Sequence, residues 1–302
     1  MRSLLALIIV AWFAPAIAAE KYDPAALAKQ IAPLVEETTF LVIHADVTNL
    51  SAAESLRPLE KLLPVEKAEV EKAATLIDLA LAAFREAGGR DLFLVGRFNG
   101  RMPPLTEALL AVPMASGTDE AAIRGLLPGF ASARRGDLLV IALPLGDGRT
   151  ADPKRLEGIR PMSRPELTDA FRLTGDAPIR VAIVPPPYAA RAIVETMPEL
   201  PASVGGGPST ILTRGFKYAG VGIDPGAMPK LRIAVQSEDA AAAAALHKTI
   251  VQALAVLAKE APSSPQTPEL VRLLTPTVDE ARLRLEIDGR LIDLLVAMQA
   301  KK

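Results

Sequence analysis

The sequence predicts a mixed α/β (α+β) fold in which one unit of strands and helices occurs twice. Both halves of the chain give the same order of elements: strand, helix, strand, strand, helix, strand. A dipeptide echo supports the repeat, because Met102-Pro103 and Met228-Pro229 each enter the third strand of their half. This element order is typical of the ferredoxin-like βαββαβ unit. We therefore predict a tandem duplication of that unit with mostly antiparallel sheets.

A polar bridge between the halves sets the predicted boundaries, since it carries two short helix signals and no apolar strand. Asp152-Pro153 opens the first bridge helix, and Ser163 opens the second as a capping box with Glu166. The predicted segments are a signal peptide at 1–18, an N-terminal helical segment at 19–37, a first unit at 38–145, the bridge at 146–176, a second unit at 177–290 and a C-terminal helix at 291–302.

Strands are predicted where β-branched and apolar residues run between turn residues. They cover residues 39–47, 91–98, 105–114, 137–143, 178–184, 215–223, 231–236 and 281–288. Longer helices are predicted from apolar residues at helical spacing and from capping residues. They cover residues 20–37, 65–87, 118–127, 188–197, 237–261 and 291–298, with Thr118 and Ser237 as caps.

The strands of the two halves differ in pattern. In the second half they alternate apolar and polar residues, which is typical of a sheet with one face in water. In the first half, residues 109–114 and 138–143 are apolar on both faces. Soluble monomers seldom expose a large contiguous apolar patch. We therefore expect the second face of the first half to be covered within the chain, by the helix around residues 27–34, by the bridge helices or by the second unit. The alternative is a partner or a second copy on that face.

Residues 1–18 predict export. Arg2 precedes an apolar run, and Ala16-Ile17-Ala18 supplies the small residues that a signal peptidase cleaves after. The expected location is the periplasm or the extracellular medium, with no membrane span after cleavage. The chain has no cysteine, so no disulfide and no thiolate site are available.

Composition argues against two classes of partner. The formal net charge is −1, which is not the basic balance that nucleic-acid binding requires. Aromatic residues make up 4% of the chain, so stacking platforms for sugars or single strands are scarce. No motif predicts a cofactor or a metal site.

His44 and Asp46 are the candidate catalytic residues. They lie two residues apart on a strand, so their side chains share a face. A His–carboxylate pair can act as a general base or begin a metal site. The other interpretation is an ordinary polar pair, because the sequence provides no nucleophile beside it.

Arg232, Arg282 and Arg284 are the candidate ligand-binding residues. The alternation predicts that they share the open face of the second sheet, where they interleave with Gln236 and Glu286. Such a face is either a solvated surface or a site for an anionic ligand. The sequence thus favours an exported, non-catalytic protein that binds another exported protein or supports an envelope assembly. A secreted hydrolase that uses His44 and Asp46 is the alternative.

Overall fold

A computed structural model describes residues 22–48, 50–56, 66–98, 105–144, 154–226, 228–260 and 265–299. Within these ranges the chain forms a mixed α+β structure around one ten-stranded antiparallel sheet. The predicted signal peptide and the Met102-Pro103 entry lie outside the described residues, as does Asp152-Pro153.

The ten strands contain all eight predicted ones, with ends that differ by up to three residues. The two additional strands, β4 and β9, are short and largely polar, so they give no apolar run to detect. The strands are β1 (Thr39–Asp46), β2 (Asp91–Phe98), β3 (Leu105–Pro113), β4 (Ser132–Arg135), β5 (Leu138–Pro144), β6 (Ile179–Ile183), β7 (Tyr218–Asp224), β8 (Lys230–Gln236), β9 (Thr277–Asp279) and β10 (Arg282–Ile287).

Eleven α-helices lie within the described residues. They are α1 (Pro24–Ile31), α2 (Ala52–Leu56), α3 (Lys67–Glu86), α4 (Glu120–Leu126), α5 (Lys154–Glu157), α6 (Pro165–Thr174), α7 (Ala189–Thr196), α8 (Thr210–Gly215), α9 (Ala240–Glu260), α10 (Thr267–Leu274) and α11 (Gly289–Gln299).

The two halves have the same strand order. The sheet runs β4-β5-β3-β2-β1-β6-β7-β8-β10-β9. Read outward from its centre, each half gives its first, second, third, fifth and fourth strands. The halves meet where β1 pairs antiparallel with β6. We call this pairing the seam. The sequence predicts two sheets, and the structure has one because the seam joins them.

The ferredoxin-like arrangement is not confirmed. A split βαβ unit places another strand between its first two strands. Here β1 pairs directly and antiparallel with β2, although α2 and α3 lie between them in the chain. The predicted strands follow one another along the chain as expected, with β4 and β9 added to them. This order does not determine which strands become neighbours in the sheet. After a helical connection, the next strand can pair beside the previous strand or one position further away.

Both faces of the first half are covered from within the chain, as the apolar strands predict. One face, which we call face A, carries Val42, Phe93 and Val140 under α1, α5 and α6. The opposite face, face B, carries Val112, Leu139 and Ile141 under α2, α3 and α4. Every residue from Leu138 to Ala142 is at most 3% exposed. The cover is therefore internal, and the alternative of a partner on this face is wrong.

The second half is covered mainly on face B, where α9 packs Leu246 and Ala243 on Leu283. On face A, α6 packs mainly on β7 and also contacts β8. A Cβ on Gly220 would lie 2.3 Å from the Ala170 carbonyl oxygen, and one on Gly222 would lie 2.2 Å from that of Thr174. Glycine therefore lets the helix approach the strand.

The helix caps differ from the predicted ones. Asp119, not Thr118, caps α4 by accepting from Ala122 N at 3.0 Å. Asp239, not Ser237, accepts from Ala242 N at 2.7 Å at the start of α9, while Ser237 Oγ donates to Gly215 O. The predicted capping box at Ser163 is wrong, since Arg164 is the N-cap of α6 and makes no side-chain cap bond.

By length and composition, residues Ala240–Lys259 of α9 are apolar enough to cross a membrane. No other helix among the described residues meets this condition. The expectation of no span after the signal peptide therefore does not follow from composition alone. In the structure, α9 packs along the sheet and contacts α8 and α10.

Candidate functional site

His44 lies at the seam, inside the protein. The register of β1 places it directly opposite Phe93 on one side and Arg180 on the other. It is 1% exposed, and its ring lies 4.8 Å from that of Phe93. A buried polar ring needs hydrogen-bond partners, because an unsatisfied polar group costs free energy.

Both ring nitrogens of His44 have partners. Arg180 donates to Nδ1 at 3.0 Å, and Nε2 lies 2.7 Å from Asp91 Oδ1. A guanidinium can only donate, so Nδ1 accepts and Nε2 carries the proton that it donates to Asp91. Burial lowers the pKa of His44 below 6.5, although Asp91 opposes the shift. The imidazole is therefore neutral between a cation and an anion.

The ring of Tyr22 covers Arg180, and its hydroxyl reaches the C-terminal end of α6. The guanidinium lies 4.2 Å from the centre of the Tyr22 ring, a cation–π contact. The Tyr22 hydroxyl donates to Phe171 O at 2.6 Å, and burial raises the pKa of that hydroxyl. Thr174, the last residue of α6, has its Oγ1 3.1 Å from the same hydroxyl. We call these residues the seam network: Tyr22, His44, Asp91, Thr174 and Arg180.

The seam network links elements distant in sequence, and it leaves His44 no free ring nitrogen. His44 would have to break a hydrogen bond before it could accept a proton from a substrate. Asp46 is not its partner: it accepts from Thr48 N at 3.1 Å. The structure therefore does not bring the two predicted catalytic residues together as a pair. The geometry is that of a structural clamp on β2, β1 and β6.

The three predicted arginines share face A of β8 and β10, as the strand register requires. Each already has an acceptor. Arg232 lies 2.6 Å from Asp224, Arg282 donates to Gln236 at 2.8 Å, and Arg284 lies 2.7 Å from Asp279. The three guanidinium groups are thus paired with acceptors of the same sheet. This favours a solvated surface over a binding site for an anion.

An apolar row crosses the centre of face B in the second half. Val181, Val221, Ile233 and Leu285 lie directly across from one another on β6, β7, β8 and β10. Each is half-buried. We call these four residues the open row. On one side of it α9 packs near Val235 and Leu283, and on the other α11 lies near Leu231 and Ile287.

A small apolar cavity adjoins the open row. Its volume is about 90 Å³, and its lining is almost wholly apolar. The lining residues are Ile223, Pro229, Lys230, Leu231, Ile287, Asp288, Leu291 and Ile292. Among the residues that the structure describes, no group of three or more His, Asp or Glu side chains is placed to hold a metal ion.

Sequence reasoning missed Arg180, Asp91 and Tyr22. A signal was present for Arg180, which is the only charge in the strand Ile179-Arg180-Val181-Ala182-Ile183. A charged residue within an apolar strand needs a buried partner. The glycines of β7 were also informative, because a glycine inside a strand often marks the close approach of another element.

The function is inferred from the chemistry of this chain alone. Comparison with protein-family models, with curated proteins and with solved structures gave no match.

Proposed function

We propose that this chain is an exported, non-catalytic protein that binds an apolar segment of another polypeptide through the open row. The observation that carries the proposal is the half-buried state of four adjacent aliphatic side chains on an ordered sheet. In the first half, the matching aliphatic side chain Ile141 is 1% exposed under its helices. The second half therefore has apolar surface that its own helices leave partly open.

The chemistry of the open row selects the class of partner. Fully burying a large aliphatic side chain gains about 1.5–3 kcal/mol, so completing the burial of four partly covered side chains gains a fraction of that at each position. The cores of protein interfaces are poor in charge, as this surface is. A sugar or a nucleotide would require polar groups pointing into the site, and the adjoining cavity offers almost none.

Export rests on the predicted signal peptide at residues 1–18. The cysteine-free composition agrees with a fold stabilised by its core, and Phe93 and Leu139 are fully buried within it. The proposed location remains the periplasm or the extracellular medium, and the proposed partner is exported as well.

We also propose that the two halves arose by duplication of one unit, in an arrangement different from the ferredoxin-like one. The strand order supports this proposal. Read outward from the seam, each half gives its first, second, third, fifth and fourth strands.

The outer hairpins support the same proposal. In both halves a two-residue loop joins the fourth strand to the fifth. The first loop residue is Gly136 with φ 58° in one half and Glu280 with φ 51° in the other. Glu280 is the one non-glycine residue with positive φ among those described. The same backbone at the same place favours common descent of the two hairpins.

The binding function is tested with Ile233→Glu, which puts a charge into the open row. Leu79→Glu is the matched control, because Leu79 is 67% exposed on α3 of the first half. The wild-type chain is used to capture exported proteins, and each captured protein is purified and titrated. We expect Ile233→Glu to weaken binding at least tenfold and Leu79→Glu to leave it unchanged, with both variants folded by circular dichroism. Equal binding by all three proteins would refute the open row as the site.

The hydrolase alternative has its own test. His44→Ala and the wild type are assayed against a panel of ester, amide and phosphoester substrates. We expect no turnover by either protein. Turnover that His44→Ala abolishes would replace the binding function with catalysis.

A further inference from the structure

We propose that one partner of this surface is a second copy of the chain, held by insertion of Met228 into the partner's apolar cavity. The inference rests on the proposed binding function and specifies its partner. Met228 is 78% exposed, the highest exposure among the large apolar side chains described. It immediately precedes Pro229, which lines the cavity. An exposed apolar side chain therefore stands beside an apolar recess.

The cavity has a suitable size for this side chain. An apolar cavity of about 150 Å³ accommodates benzene, which has six carbon atoms. By proportion, the 90 Å³ cavity holds about four heavy atoms. The methionine side chain has four heavy atoms, is unbranched and adapts to irregular spaces. Met228 is not among the residues that line the cavity of its own chain.

The adjacency of side chain and recess is what a two-fold dimer requires. In an isologous interface one patch faces its own copy, so a projection on each chain must meet a recess on the other. Here both lie at the beginning of β8. One two-fold rotation can therefore place Met228 of each chain in the cavity of the other chain. A partner of different sequence would fill only one cavity.

The charges beside the cavity permit self-association. Lys230 and Asp288 both line the cavity and carry opposite charges, and Arg290 donates to both carboxylate oxygens of Asp288 within the same chain. Two copies that meet here therefore bring no uncompensated charge of one sign together, whereas a lining of one sign would repel its own copy.

Helix α11 extends the apolar surface beyond the cavity. Leu291 lines the cavity, and Leu295 and Met298 follow it at helical spacing on the same side. Both are half-buried. This stripe supplies contact area around the inserted methionine, which alone would be too small for a stable dimer.

The test is the oligomeric state of residues 19–302, measured by sedimentation velocity across a wide range of concentrations. We expect a monomer–dimer equilibrium in the wild type. Met228→Lys should raise the dissociation constant of the dimer about 30-fold or more, which is the effect of losing one interface hot spot. The matched control Leu79→Lys places the same charge at an exposed leucine of the first half and should not change the constant.

The absence of cysteine gives a second measurement. Met228→Cys and Asp288→Cys chains of different length are mixed and oxidised, and we expect a disulfide-linked heterodimer. A wild type that is monomeric at every concentration overturns the inference, as does a dimer that Met228→Lys leaves intact. Should the monomer still bind another exported protein in an Ile233-dependent way, only this inference fails and the proposed function stands.

Discussion

The two halves of this chain share a strand order and differ in how they cover the sheet. The first half buries face A under α1, α5 and α6 and face B under α2, α3 and α4. In the second half, face A beyond β7 carries the paired arginines, and the centre of face B carries the open row. One architecture thus supports a double-sided core in one half and a partly open surface in the other.

The difference indicates a division of roles. A strand with helices on both faces contributes two sets of buried side chains, so the first half provides most of the apolar burial. The second half keeps apolar surface partly in water, which costs stability, and the proposed binding function would cover that surface. The seam network joins the halves, because His44 contacts Arg180 across the β1–β6 pairing.

The largest expected effect compares matched core positions. Ile141 and Leu285 each lie five residues after the positive-φ residue of their hairpin, on face B. Ile141 is 1% exposed and Leu285 is half-buried. Truncating a buried aliphatic side chain to alanine costs about 2–5 kcal/mol, so we expect about 4 kcal/mol for Ile141→Ala. For Leu285→Ala we expect about 1 kcal/mol, because part of its surface is already in water.

Chemical denaturation of the two variants measures both free energies of unfolding. Equal losses would remove the contrast between the halves, since they would mean that the open row is as well covered as the first core.

A smaller effect is expected at the glycines under α6. Gly222→Ala forces the Thr174 carbonyl away from the strand, and we expect a loss of about 3 kcal/mol. Gly125→Ala is the matched control in the first half. A Cβ on Gly125 meets nothing within 4 Å, and alanine in a helix gains about 0.5–1 kcal/mol over glycine. Thermal melts of both variants check the signs. A Gly222→Ala protein as stable as the wild type would show that α6 does not press on β7.

The seam network predicts a pH dependence. Burial lowers the pKa of His44 from 6.5, so below that pH the unfolded chain binds a proton that the folded chain does not. The free energy of unfolding therefore falls as pH falls, by up to about 1.4 kcal/mol per pH unit for this group. Urea titrations above and below this pH should show a smaller fall in His44→Gln than in the wild type.

His247→Gln is the control for that measurement, because it removes the only other histidine of the chain. Should both variants lose the same part of the pH dependence, the effect does not come from the seam.

The smallest change in stability is expected when residues are exchanged between the two matched hairpins. A side chain at positive φ costs about 1–2 kcal/mol, and glycine relieves it at some entropic cost. We expect Glu280→Gly to stabilise the chain by about 0.5 kcal/mol and Gly136→Glu to destabilise it by about 1 kcal/mol. A Cβ on Gly136 meets nothing within 4 Å, so its cost would come from the backbone alone. Opposite shifts in melting temperature are the expected readout, and two shifts of the same sign would contradict the hairpin correspondence.

Local pattern predicted eight of the strands because apolar runs such as Ile179–Ile183 carry their signal within a few residues. The order of those strands in the sheet was not predictable in this way. Pairing between β1 and β6 joins residues far apart in the chain, and nothing near Ile43 identifies Val181 as its neighbour. The predictions of helix caps were wrong for a related reason. The side chains of Asp119 and Thr118 can both cap a helix, and residue type alone does not show which of them does.

By itself, the sequence determined the element types, the absence of disulfides and the internal cover of the first half, because each follows from residue chemistry and periodicity. Only the tertiary structure decided that His44 pairs with Asp91 and Arg180 instead of Asp46, that the two halves share one sheet, and that the open row lies between α9 and α11. These features depend on which segments distant in the chain become neighbours. Strand pairing decides this, and the pairing is selected by how well the whole sheet buries its apolar side chains.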